Sequence, residues 1–113
     1  MVDEKVIETV QYFRELVEKG GIRINTLILF GSSRSGTATQ GSDIDIAIIS
    51  VDFTVKDIVD RALPTKEAEI HTVRRFTVPL DVITHTPDEY SDERSLLFRM
   101  IRKGLIFRTV SSA

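Results

Sequence analysis

The spacing of apolar residues changes several times along the chain, and each change marks an element. Val2, Val6, Val10, Phe13 and Val17 recur at intervals of three and four, with Ile7 and Leu16 beside them, the stripe of an amphipathic helix. Asp3 is placed to cap its start, and Gly20-Gly21 ends it with the residue type that enters the left-handed region freely. Ile22–Phe30 is rich in Ile and Leu and reads as a strand stopped by Gly31. Gly31–Ser42 (GSSRSGTATQGS) holds only small and polar residues and predicts a loop or a short helical turn. Asp43–Ile49 (DIDIAII) predicts a second strand.

Thr54, with Asp57 three residues on, has the capping-box pattern for a helix whose apolar face is Ile58, Val59, Ala62 and Leu63. Pro64 interrupts that pattern, so Thr65–Arg75 is either a new helix with proline at its first position or a loop. Val78–Thr84 (VPLDVIT) predicts a third strand. Thr86-Pro87-Asp88-Glu89 joins a Thr cap, a Pro at the first helical position and a Glu at the third. Leu96, Leu97, Met100 and Ile101 carry that helix to Gly104. Leu105–Phe107 suits a short edge strand, and Thr109–Ala113 should fray. Helix, strand, strand, helix, strand, helix predicts an α/β (α+β) fold in one domain over residues 1–113.

At 113 residues, 42% hydrophobic and 28% charged, the chain fits one packed core and no second lobe. A net charge of -2 gives no global attraction to nucleic acid or an anionic membrane. Met1–Lys19 carries five acidic and three basic residues, whereas Arg94–Arg108 carries five basic and no acidic ones. Basic residues near a helix C-terminus are what the macrodipole attracts, and the alternative reading of this stretch is a partner or RNA contact. The absence of cysteine excludes disulfide scaffolds, thiolate zinc sites and cysteine nucleophiles. No apolar run approaches the roughly 20 residues of a membrane span, and the N-terminus lacks a signal-peptide core, so a cytoplasmic protein is expected.

Three carboxylates stand where apolar side chains would be expected. Asp43 and Asp45 interrupt one predicted strand and Asp81 another. A carboxylate among Ile, Leu and Val is costly to desolvate unless paired or bound to a cation. Alternation points Asp43 and Asp45 the same way, about 6.6 Å apart along the strand, a separation suited to divalent cations. The link from Gly31 to Ser42 is short for a parallel crossover, so the first two strands should be antiparallel. Val51–Phe76 leaves room for a helical crossover, which makes the third strand parallel to the second and brings Asp81 to the same edge. The sheet is then small and mixed, with a loop of Gly and Ser facing three carboxylates. Loop amides and the Ser32 hydroxyl could cradle phosphate oxygens there.

Gly31-Ser32, ten residues, then Asp43-Ile44-Asp45 resembles the GS-x10-DxD signature of the DNA polymerase β-like nucleotidyltransferases. The surrounding LILFGSSRSGTATQGSDIDIAII resembles the minimal nucleotidyltransferase (MNT) branch, and the likeness covers the whole chain. It implies that Asp43 and Asp45 bind Mg²⁺, that Asp81 shares a metal and helps deprotonate the attacking hydroxyl, and that Gly31, Ser32 and Ser42 contact the nucleotide. Two Mg²⁺ ions and an NTP, ATP foremost, are the implied cofactor and substrate. Relatives carry Arg immediately before the glycine that is Gly36 here; this chain has Ser35, with its arginine at Arg34. MNT proteins further imply a HEPN-domain ribonuclease toxin as partner, neutralised in some cases by transfer of AMP to a toxin tyrosine, and a homo- or hetero-oligomer. A non-catalytic antitoxin acting by binding alone, and an antibiotic-modifying lobe that needs a helical subunit, are the other readings.

Other patterns carry less. An EF-hand fails because Ile48 and Thr54 stand where its Gly and Glu belong, and a P-loop fails because Thr37 stands where its Lys must be. His71 and His85 have no partner spacing and read as surface or boundary residues. Tyr12 and Tyr90 read as half-buried aromatics. Asp81 also admits a structural ion pair with an arginine.

Overall fold

The structure, a computed structural model, describes residues 4–30, 43–54, 58–94, 99 and 105–106. Helix α1 (Glu4–Lys19) buries Val6, Val10, Phe13 and Val17 of the expected stripe, whose Val2 lies outside the described residues, and adds Thr9, whose hydroxyl donates to the Lys5 carbonyl at 2.7 Å. Gly21, at φ 97°, closes it in the left-handed region. The proposed caps Asp3 and Asp57 lie outside the described residues.

Strand β1 (Thr26–Phe30) is shorter than Ile22–Phe30. Ile22 is buried, but the next residues serve the far edge of the sheet. The Arg23 amide donates to Asp52 at 2.7 Å, and the Asn25 side chain accepts from the Val51 amide at 2.9 Å. Strand β2 (Ile44–Ile49) pairs antiparallel with β1 and parallel with β3 (Leu80–His85). The two-residue β4 (Leu105–Ile106) lies antiparallel to β1 at the edge, giving the order β3-β2-β1-β4 among the described residues. The mixed sheet and both strand directions are as expected from the connection lengths.

Thr54 does not start a helix. Its backbone is αR (φ -62°, ψ -36°), and it closes a 3-10 turn (Val51–Phe53) that Ser50 caps by accepting from the Asp52 amide at 3.0 Å. An N-cap needs extended backbone, which Ser50 has and Thr54 lacks. Helix α2 (Ile58–Phe76) then runs through Pro64, so Thr65–Arg75 is neither a loop nor a fresh helix start. Burial of Thr65, Ala68 and Thr72 on one face offsets the hydrogen bond that the proline removes. Leu63, expected on the apolar face, is 63% exposed. The Thr86 capping box forms as read, with Glu89 N–H donating to the Thr86 hydroxyl at 3.1 Å and Thr86 N–H to the Glu89 carboxylate at 2.8 Å. It opens only the short α3 (Pro87–Tyr90). Leu96, Leu97, Met100 and Ile101 lie outside the residues whose structure is described.

Alternation along the strands separates two cores. Leu27, Leu29, Ile44, Ile46, Ile48 and Leu80 face α1, α2 and Phe53. Ile28, Phe30, Ala47 and Ile49 form a second cluster on the other face, with Ile83 and Tyr90 against it. Tyr12 and Tyr90 are half-buried, as read; His71 is exposed and His85 is buried at the end of β3. The helices α1 and α2 run antiparallel: the Tyr12 ring meets Phe76 at 5.5 Å, while a Cβ on Gly20 would stand 3.8 Å from Pro64.

Candidate active site

The carboxylates gather where β2 and β3 begin. Parallel pairing sets Asp45 directly beside Asp81, and the Ile44 amide donates to the Pro79 carbonyl at 2.9 Å, which locks that register at its start. Neighbouring strands stand about 4.8 Å apart, so the two side chains share one face as immediate neighbours. Asp43, two residues before Asp45, has the same parity. All three therefore point to the face of Ala47, Ile49 and Ile83, away from α1 and α2. Asp43 and Asp81 are exposed, whereas Asp45 is partly covered.

The electrostatics follow from that geometry. Burial pushes the Asp45 carboxyl above its usual range, and the negative charges of Asp81 and Asp43 push it further. A hydrogen bond with Asp81 adds to the effect, because it requires a proton between the two groups. Among the described residues, the partner of Asp81 is the Asp45 carboxyl and not an arginine. Three hard oxygen donors of one sign are the chemistry a divalent cation takes, and a cation would relieve the repulsion that helps raise the Asp45 pKa. Among the described residues, however, no three His, Cys, Asp or Glu side chains form a group that could hold a metal ion. The donors fit a cation in kind, and they form an open edge here, not a closed cage.

Gly31, Ser32, Arg34 and Ser42 lie outside the described residues. The chain leaves β1 at Phe30, which the antiparallel register sets opposite Asp45. Reading the sequence did not single out Phe30; its place immediately before Gly31 was the available signal. Tyr90, which packs on the same face of the sheet, had no comparable signal.

The chain resembles known proteins over most of its length. Residues 8–103 match the family described as nucleotidyltransferase domain. The "putative protein adenylyltransferase" of Methanocaldococcus jannaschii is 26% identical over 92 residues, 80% of this chain. The match spans 62% of that relative's length. The fold resembles the crystal structure of a "putative nucleotidyltransferase" from Sulfolobus solfataricus, with a TM-score of 0.50 at 18% identity, over 98% of this chain and 93% of that one. With the family matched over most of its length and three aspartates at the edge where β2 and β3 begin, the chain belongs to the nucleotidyltransferase domain family.

Proposed function

We propose that the protein transfers a nucleoside monophosphate, AMP from ATP, to a hydroxyl of a partner protein or RNA, releasing pyrophosphate. The observation that carries this reading is the side-by-side register of Asp45 and Asp81, with Asp43 two residues away. Divalent cations, two Mg²⁺ in this reading, supply neutralisation of the triphosphate and acidification of the acceptor hydroxyl when bound. Asp43 and Asp45 would hold them, with Asp81 sharing one. Asp81 takes the proton of the acceptor hydroxyl as its oxygen attacks the α-phosphorus. A new phosphorus–oxygen bond forms, the bond to the bridging oxygen breaks, and pyrophosphate departs. Gly31, Ser32 and Ser42 contact the nucleotide.

The acceptor in this reading is a HEPN-domain toxin, neutralised by AMP on a hydroxyl side chain; the name of the Methanocaldococcus relative supports a protein acceptor. The test is transfer of label from alpha-labelled ATP with Mg²⁺ into protein or RNA of a host lysate. Asp43→Asn and Asp45→Asn should each abolish labelling while the circular dichroism spectrum stays unchanged. Labelling retained in either variant overturns the reading. A second reading is an antitoxin that acts by binding alone, against which the presence of all three aspartates argues. It predicts a tight complex indifferent to Asp45→Asn and to ATP.

A further inference from the structure

The two edges of the sheet are finished differently. At one, β4 sets two residues against β1. At the other, β3 runs for six residues with β2 on one side and, among the described residues, no strand on the other. The ladder shows which backbone groups face that open side. The Ile44 amide donates to the Pro79 carbonyl at 2.9 Å and the Ser50 amide to the His85 carbonyl at 3.0 Å, so odd-numbered residues turn their backbone groups towards β2. Those groups alternate in direction along a strand, so the amides and carbonyls of Leu80, Val82 and Thr84 turn outward. Natural edge strands are commonly blunted by a lysine, a proline or a bulge. Strand β3 contains none of these, since Pro79 precedes it and its register with β2 is unbroken.

This edge is continuous with the candidate active site, because Asp81 lies on the same strand. A strand added beside β3 would stand about 4.8 Å away, and its residue opposite Asp81 would project on the carboxylate face. In the stronger, antiparallel ladder, Val82 and Thr84 make the hydrogen-bonded pairs, and Asp81 and Ile83 fall in the closer, non-hydrogen-bonded pairs. The added residue opposite Ile83, two before the one opposite Asp81, meets a half-buried apolar patch that Ile83 and Tyr90 form against the sheet. An amide and a carbonyl repeated at every second residue fit a polypeptide backbone and not a sugar-phosphate chain. We infer that the acceptor docks as an extended protein segment added antiparallel to β3. Its Ser, Thr or Tyr hydroxyl lies opposite Asp81, with an apolar side chain two residues before it. This rests on the transfer proposed above: the hydroxyl oxygen bonds to the α-phosphorus of ATP, its proton passes to Asp81, and the bond to the departing pyrophosphate breaks.

The probes are three seven-residue peptides with Val two residues before a single Ser, Thr or Tyr. Amide exchange of the full chain, followed by NMR without ATP, reads the pairing. In the protein alone Val82 and Thr84 should exchange fast and Ile83 slowly; a peptide should slow Val82 and Thr84 by about tenfold or more. Methylating the amide between Val and the hydroxyl residue removes a bond to Val82 and should weaken binding by about five- to tenfold. Methylating the hydroxyl residue's own amide, which faces away, should not. Thr84→Pro removes one outward donor, spares the β2 ladder and should weaken binding by a similar factor with an unchanged circular dichroism spectrum. With alpha-labelled ATP and Mg²⁺ the bound peptide should take the label. Val82 and Thr84 already slow in the protein alone, because a second copy or another segment of the chain holds the edge, overturns the inference. So does the absence of protection with all three peptides, or equal binding of both methylated forms. Label that enters lysate RNA alone, or lysate protein but never a paired peptide, overturns it too. Protection by a peptide with no labelling anywhere sinks the transfer reading and supports the strand pairing.

Discussion

Strand β2 reads IDIAII, and its one ionisable side chain, Asp45, is partly buried beside Asp81 with Asp43 close by. Folding therefore disfavours its charged form. A carboxyl whose folded pKa is raised contributes instability above that raised value, and the penalty fades as pH falls through it towards the unfolded value near 4. Asp45→Asn removes the penalty. The metal-free variant should melt above the wild type at pH 7, and the gain should shrink to nothing as the pH is lowered below 4. Thermal melts across that range check it; a variant less stable than the wild type at pH 7 overturns it. Added Mg²⁺ should raise the melting temperature of the wild type and not of the variant, since only the former keeps its donors.

At the scale of elements, the junction between α2 and β3 sets where Asp81 falls. Thr77 sits at φ 57°, its amide donating to the Val73 carbonyl at 2.8 Å, as the left-handed residue that closes α2. That region is costly for a β-branched side chain, by about 1–2 kcal/mol. Glycine relieves the strain but loses more entropy on folding, so Thr77→Gly should stabilise by about 0.5–1 kcal/mol, measured by urea unfolding. The Thr77 side chain is exposed, so little packing is lost. Pro64 misleads for a different reason: a proline is a local signal, and α2 continues because α1 and the sheet cover its inner face.

Across the whole molecule, α1 closes one face of the sheet, and Phe13 is wholly buried at that closure. Phe13→Ala should cost about 3–5 kcal/mol, a large share of the roughly 5–15 kcal/mol that holds a domain of this size together. Chemical unfolding monitored by circular dichroism checks it; a loss under 1 kcal/mol would mean that the core collapses around the gap. Because that core lies on the face away from the carboxylates, the aspartates tolerate exchange to Asn without disturbing it.

Local pattern was enough for the elements whose signals are local. The three-and-four stripe of α1, the alternation around Asp43 and Asp45, and the Thr86 capping box depend only on near neighbours, and each formed as read. Connection length sufficed for strand direction, since a short link cannot make a parallel crossover. The sequence by itself thus determined that three aspartates reach one edge of a mixed sheet. Tertiary structure decided the rest. The register that sets Asp45 beside Asp81, 36 residues away, depends on how two strands slide past one another, and no local spacing records that. Burial of α2 on a single face carried the helix through its proline and left Leu63 in solvent, because packing, not propensity, determines which helix face is covered.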